Sequence, residues 1–260
     1  MTLLVFFLGL AWGSFMNVCI YRLPESQSIV SPPSHCPRCR HPIRWYDNMP
    51  LVSFVLLKGK CRDCKAAISW RYPLVELLVG AMALIALWKW GWTAYALAGF
   101  LILSSAVAVA LIDFKYQIIP DEISLTGIVL GVVFSIFFPL WQGGASRLEG
   151  FWGSLIGLLA GGGFLYVAGT LGEWVFKKEA MGGGDVKLMA AVGAFLGWKV
   201  VLVTIFVGSF FGAGVGIFLR VLKGQERIPF GPYLVLGTIT YLFLGETLIS
   251  WYVSKVLGLY

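Results

Sequence analysis

With 260 residues, 58% of them hydrophobic and 13% charged, the chain lies far from ordinary soluble domains, in which roughly a quarter of residues are charged. Long apolar runs parted by short polar segments exclude a soluble enzyme and set the class as an all-α polytopic membrane protein. The net charge of +7 does not point to nucleic acid, because the basic residues gather where membrane topology places them.

A spanning helix needs about 20 apolar residues. About eight transmembrane helices are expected, at 3–21, 74–89, 92–112, 123–141, 151–172, 186–198, 199–220 and 231–254. The first run is long enough to span and has no small-residue cleavage site behind it, so it reads as a retained helix. The sixth is short, which predicts a tilted helix or one that dips into the bilayer without crossing. Segment 22–72 is the one long polar stretch and holds nine of the twenty lysines and arginines. If it is cytoplasmic, strict alternation puts 113–122, 173–187 and 220–230 on the same side. Sixteen of the twenty basic residues, Arg227 among them, then face the cytoplasm, and the N-terminus is outside. Trp88, Trp90, Trp92, Trp141, Trp152, Trp198 and Trp251 cluster at the opposite ends, as interfacial indole rings do. The expected division is 1–21 as a first transmembrane helix, 22–72 as a small cytoplasmic domain and 73–260 as the main membrane domain.

Segment 22–72 contains Cys36-Pro-Arg-Cys39 and Cys61-Arg-Asp-Cys64. Two CxxC knuckles about twenty residues apart match zinc-ribbon spacing, since each knuckle offers two thiolates from a tight turn and two turns complete a tetrahedron. A reducing cytosol disfavours a pair of disulfides, and the basic neighbours Arg38, Arg40, Arg62 and Lys65 favour thiolates. One tetrahedral zinc is the preferred reading, with a redox pair or an empty thiol site as alternatives. A four-thiolate site leaves no open position for water, so the expected role is structural.

The informative acids stand at helix ends. Asp113 closes the third span. Asp121 follows Ile119-Pro120 and begins the fourth. Asp185 closes Gly182-Gly183-Gly184-Asp185 ahead of the sixth. Glycines there remove side-chain bulk, so an extended peptide or another backbone can come close. Asp113 and Asp185 are read either as solvated carboxylates ending helices or as a pair sharing one proton. In the second case one carboxyl polarises a peptide carbonyl while the other activates water, with no metal and no nucleophilic serine. Glu76, just inside the second span, either pairs with Arg71 or another basic residue near the cytoplasmic interface, or lines a polar cavity for a cationic ligand, a cavity that Asn17 and Arg22 would share. Glu246, in the last span, has no evident partner.

These residues carry a family resemblance over nearly the whole chain. Gly13-Ser14-Phe15-Met16-Asn17-Val18 with Arg22-Leu23-Pro24, the four cysteines, Trp45-Tyr46-Asp47-Asn48-Met49-Pro50-Leu51-Val52-Ser53 and Arg71-Tyr72-Pro73-Leu74-Val75-Glu76 resemble the opening and cytoplasmic part of the prepilin peptidases, also called type IV leader peptidases. Ile112-Asp113 with Ile119-Pro120-Asp121, then Gly182-Gly183-Gly184-Asp185-Val186-Lys187-Leu188, resemble that family's two aspartate motifs. Ile228-Pro229-Phe230-Gly231-Pro232-Tyr233 resembles its late motif, and the one departure is Ala180, where many members have glycine.

The resemblance implies a GxGD-type aspartyl peptidase of the bacterial inner membrane, occupying 73–260, with Asp113 and Asp185 as the catalytic pair. Asp121, Gly182, Gly184 and Lys187 would support them. Its substrates would be prepilins or pseudopilins of pilus biogenesis or type II secretion, cut after a glycine between a basic leader and an apolar helix. Members with the four cysteines also methylate the new N-terminal amine with S-adenosylmethionine, and Cys36, Cys39, Cys61 and Cys64 belong to that second activity. Glu76 is a further contributor to the methyl-donor site on this reading. The runner-up is a peptidase without methyltransferase activity. Outside the family, a transporter would place its carboxylates near the bilayer midplane, and a non-catalytic adaptor would leave the glycine-aspartate loop without a purpose.

Overall fold

The computed structural model describes residues 1–178, 181–224, 228–256 and 258; Ala180 and Arg227 lie outside the described residues. Two compact units are present, Met1–Leu111 and Ile112–Tyr260. All regular structure among the described residues is helical, apart from two isolated β-bridges.

The first unit holds α1 (Thr2–Arg22), the short α2 (Val52–Leu56), α3 (Arg71–Trp90) and most of α4 (Ala94–Tyr116). Helices α1 and α3 lie against each other. Gly13 makes this approach possible, since a Cβ there would sit 2.8 Å from Glu76 Cα, and small residues let helices meet closely in lipid. The indole N–H of Trp12 donates to Ser104 Oγ at 3.1 Å, tying α1 to α4.

The second unit holds the end of α4, then α5 (Asp121–Phe137), α6 (Arg147–Leu158), a π-turn at Leu159–Gly163, α7 (Phe164–Phe176), α8 (Gly183–Leu196), α9 (Trp198–Lys223) and α10 (Gly231–Lys255). Pro120 precedes α5, whose first turn carries Asp121 and Glu122 where the helix dipole favours negative charge. Ser146 caps α6 by accepting the Glu149 N–H at 3.3 Å, and the Glu149 carboxylate accepts the Ala145 N–H at 2.8 Å.

Helix α8 is the centre of this unit, packed against α5, α6, α9 and the π-turn, and buried from Leu188 to Ala191 and from Gly193 to Leu196. It meets α6 at Gly157 and Gly193, where a methyl on either residue would run into the other's main chain. At Gly197, with φ +83°, the chain breaks before α9. The break leaves the Ala194 carbonyl short of a helical partner. Ser135 Oγ, Ser154 Oγ and Gln142 Nε2 donate to it at 3.0, 2.8 and 2.8 Å.

Among the described residues, six helical stretches are long and apolar enough to cross a membrane: Thr2–Glu25, Arg71–Trp90, Ala94–Tyr116, Arg147–Val175, Trp198–Leu222 and Gly231–Lys255. The other two expected spans correspond to shorter helices, α5 with 17 residues and α8 with 14. At 1.5 Å per residue α8 is about 21 Å long, less than the hydrocarbon thickness of about 30 Å. The sixth expected span is therefore a short helix lodged among others, as its length suggested. The outward faces are apolar, with Phe206 73% and Phe210 68% exposed on α9, which is how a lipid-facing surface looks and a water-facing one does not.

Replacing Gly193 with alanine is expected to cost about 1–3 kcal/mol through overpacking against Gly157. Gly214→Ala, with nothing within 4 Å of the new Cβ, should be neutral. Thermal unfolding of the two variants in detergent compares them directly.

Candidate functional sites

Asp113 occupies the last turn of α4 and is buried. Its Oδ2 accepts the main-chain N–H of Gly231, the first residue of α10, at 2.8 Å. Asp185 lies in the first turn of α8, where its own N–H closes onto the Gly182 carbonyl at 3.1 Å. Burial first, and then the Asp113 carboxylate, push the Asp185 carboxyl up to about 7. The two expected carboxylates thus act on each other, and two carboxylates at close range favour one shared proton over two full charges.

The neighbouring residues of both motifs converge as well. Gly184 faces Ile119, with a Cβ there lying 3.0 Å from Ile119 Cβ, so the missing side chain lets the glycine loop rest on the segment between α4 and α5. Beside it, Lys187 Nζ bridges both carboxylate oxygens of Asp121 at 2.7 and 2.9 Å. Gly182 and Gly183 stay open to solvent. The hydrogen bond from Gly231 was not legible in the sequence, because a main-chain donor carries no side-chain signature.

In the first unit, Glu76 is buried and accepts the Leu51 N–H at 2.9 Å, with the Ser14 hydroxyl as a second donor. Leu51 has φ +58°, unusual for a branched residue, so this bond holds a strained turn. The expected pairing of Glu76 with Arg71 is not what the structure has. The Arg71 guanidinium lies 5.5 Å from the Tyr72 ring, and its Nε is buried without a hydrogen bond. Asn17 donates to the Tyr72 carbonyl at 3.0 Å in the same seam. Arg22 turns instead to the carbonyls of Ser28 and Pro32 at 2.9 and 2.8 Å. Glu76, Asn17 and Arg22 thus bond to different partners: Leu51, Tyr72, and the Ser28 and Pro32 carbonyls.

The four cysteines come together, with all Sγ atoms within 4.8 Å of one another. The two knuckles are local copies. Arg40 N–H closes onto Cys36 O at 2.8 Å and Lys65 N–H onto Cys61 O at 3.1 Å, each from a residue with positive φ. The bridges His35–Pro42 and Lys60–Ala67 complete each copy. A tetrahedral ion with metal–sulfur bonds of about 2.3 Å places its sulfurs about 3.8 Å apart, and Cys36 Sγ and Cys64 Sγ are 3.9 Å apart. The donor set can hold a metal ion. The main-chain N–H of Cys39 pulls the Cys36 thiol down to about 7, toward the thiolate a metal requires. Arg62 grips Asp47 in a fork at 2.7 and 2.6 Å, which lowers the Asp47 carboxyl and ties segment 45–48 to the second knuckle.

Fold and sites together define a multi-pass helical membrane protein with a paired-carboxylate centre and a four-thiolate cluster. A family model described as the Bacterial Peptidase A24 N-terminal domain matches residues 7–90, and one described as the Type IV leader peptidase family matches residues 100–217. The chain belongs to the type IV leader peptidase family.

Relatives from several bacteria carry the name prepilin leader peptidase/N-methyltransferase. That of Stutzerimonas stutzeri is 37% identical over 95% of this chain and 92% of its own length. That of Aeromonas salmonicida (strain A449) is 36% identical over 98% and 94%. That of Myxococcus xanthus (strain DK1622) is 40% identical over 85% of this chain, and there the match spans 64% of the relative, less than two thirds of its length. No solved structure matches the chain significantly.

Glu76→Gln keeps an oxygen for the Leu51 N–H, so it should fold like the parent. Glu76→Leu strands that donor in a buried seam and is expected to cost about 1–3 kcal/mol. Thermal unfolding in detergent would separate the two.

Proposed function

We propose that this protein is a membrane aspartyl endopeptidase that removes the leader of type IV prepilins and pseudopilins after a glycine. It then methylates the new N-terminal amine with S-adenosylmethionine. The observation that carries the peptidase half is the carboxylate pair itself: Asp113 buried at the start of α10, and Asp185 raised to about 7 by burial and by Asp113. A pair holding one proton suits peptide hydrolysis, with the ionised member taking a proton from water and the protonated member polarising the scissile carbonyl. Gly182 and Gly184 leave room for the substrate main chain, while Asp121 and Lys187 brace the loop that carries Asp185.

In the proposed arrangement the N-terminus is outside and residues 22–72 face the cytoplasm at the bacterial inner membrane, supported by the lysine and arginine bias. The leader then stays at the cytoplasmic face while the apolar helix of the substrate remains in lipid. Residues 1–21, 22–72 and 73–260 serve as first helix, metal-binding domain and peptidase domain. The metal is proposed to be one structural zinc on Cys36, Cys39, Cys61 and Cys64, which when bound cross-links the two knuckles. The methyl-transfer half rests on the names of the relatives and on the presence of the four cysteines. S-Adenosylmethionine supplies the methyl group. Glu76, already engaged by Leu51 and Ser14, contributes by holding segment 45–53 and does not present a free anion to the donor.

The direct test is mass spectrometry of a prepilin after incubation with the purified protein and S-adenosylmethionine. Leader loss plus one methyl group is the expected result. Leader loss alone withdraws the methyltransferase, and an intact precursor with several substrates withdraws both. Asp113→Asn and Asp185→Asn should each abolish cleavage while the protein still accumulates in the membrane.

Metal analysis should find one zinc per chain. Cysteine-to-serine changes in the knuckles should release it and lower methylation more than cleavage. An equal loss of both would mean that the domain only supports the fold.

A further inference from the structure

The late motif Ile228–Tyr233 has no part in the chemistry above, yet it delivers the one interhelical hydrogen bond that reaches Asp113 among the described residues. Gly231 opens α10, and its N–H is one of the donors that a helix start leaves without a helical partner. The N–H groups of Tyr233 and Leu234 both bond to the Phe230 carbonyl at 3.0 and 3.2 Å. That of Gly231 instead meets Asp113 Oδ2 at 2.8 Å in a buried setting. A Cβ on residue 231 would lie 2.6 Å from that oxygen, so the approach requires glycine. Asp185 has no such donor from another helix among the described residues and draws only on Gly182 in its own turn.

We propose that the Gly231 N–H divides the labour of the pair: it holds Asp113 as the carboxylate base and leaves Asp185 as the acid. A donor to one oxygen of a carboxylate stabilises the charged form, so the proton shared by the pair resides on Asp185. In the first step the water oxygen bonds to the scissile carbonyl carbon. One water proton passes to Asp113, and the Asp185 proton passes to the carbonyl oxygen, giving a neutral gem-diol. In the second step the C–N bond breaks. Asp113 returns its proton to the leaving amine, and one gem-diol hydroxyl returns a proton to Asp185, which restores the starting pair. Gly231 is a positioning residue in this scheme, since it touches neither water nor substrate. The inference rests on the peptidase reading and adds to it the identity of the base.

The test replaces the Gly231 peptide bond by an ester, by incorporating glycolic acid at position 231 during cell-free synthesis into lipid nanodiscs. This deletes the N–H and adds no Cβ. Loss of a hydrogen bond to a charged group is expected to lower kcat by roughly 10- to 100-fold, with KM unchanged. An ester at Tyr233, which removes a donor from the same helix start without touching Asp113, should leave kcat within about twofold.

Equal loss in both esters would mean that weakening α10 is the whole effect, and the proposal falls. It falls equally if the 231 ester keeps the parental kcat, or changes KM alone. If the 231 ester does not accumulate, Gly231→Ala decides in the same way, because its Cβ must displace Oδ2. Asp113→Asn keeps the two claims apart: a cleaving Asp113→Asn enzyme overturns the peptidase reading, whereas an inactive one beside a fully active 231 ester overturns only the division of labour.

Discussion

Every main-chain N–H and C=O in the hydrocarbon layer needs a partner, and in the second unit that constraint bears hardest on α8. A helix of 14 residues is too short to cross the layer alone, so the end that lies among its neighbours must be satisfied by protein. At the far end the Ala194 carbonyl is met by Ser135, Gln142 and Ser154, side chains that look unremarkable in their own apolar segments. At the near end the helix begins in three glycines, and Asp185 sits in its first turn. The tight crossing at Gly157 and Gly193 then fixes how far α8 is inserted. The position of Asp185 follows from these contacts together, because a rigid helix locked at one end places its other end to within a fraction of a turn.

A short buried helix also explains why the carboxylates lie where they do. Asp113 ends one long helix and Asp185 starts the short one. The loop ahead of α5 is held to α8 by Ile119 against Gly184 and by Asp121 with Lys187. That ion pair is exposed, and exposed pairs contribute little to stability; its value is geometric, since it spans the two segments that carry the acids. The first unit obeys a similar logic. Across the α1–α3 seam Ser14 bonds to Glu76 and Asn17 donates to the Tyr72 carbonyl, and the strained turn at Leu51 is anchored on Glu76. The duplicated knuckles bring four cysteine sulfurs together without a large apolar core, a donor set that one ion would cross-link.

Membrane class, the places of the helices, the cysteine quartet and both aspartate motifs were legible in the sequence. Each is a local pattern: an apolar run has a length, a CxxC has a spacing, and an acid at the border of such a run stands out. Among the described residues the eight expected spans correspond to six long helical stretches and two shorter helices. Helix α5 stops at Phe137, two residues ahead of Pro139, and α8 stops at Gly197, close to where the short sixth apolar run was expected to end. Glu76 was recognised as an unusual buried acid, yet its partners were not, since one of them is the main chain of Leu51.

By itself, then, the sequence determined which residues are candidates to carry chemistry, because side-chain type and spacing are written in it directly, and motif order was sufficient to identify the family. Tertiary structure alone decided that Gly231 donates to Asp113, that three polar side chains share one carbonyl of α8, and that Arg22, Asn17 and Glu76 go separate ways. These outcomes depend on main-chain donors and acceptors, which every residue possesses alike. Only the packing of one helix against another selects which of them meet.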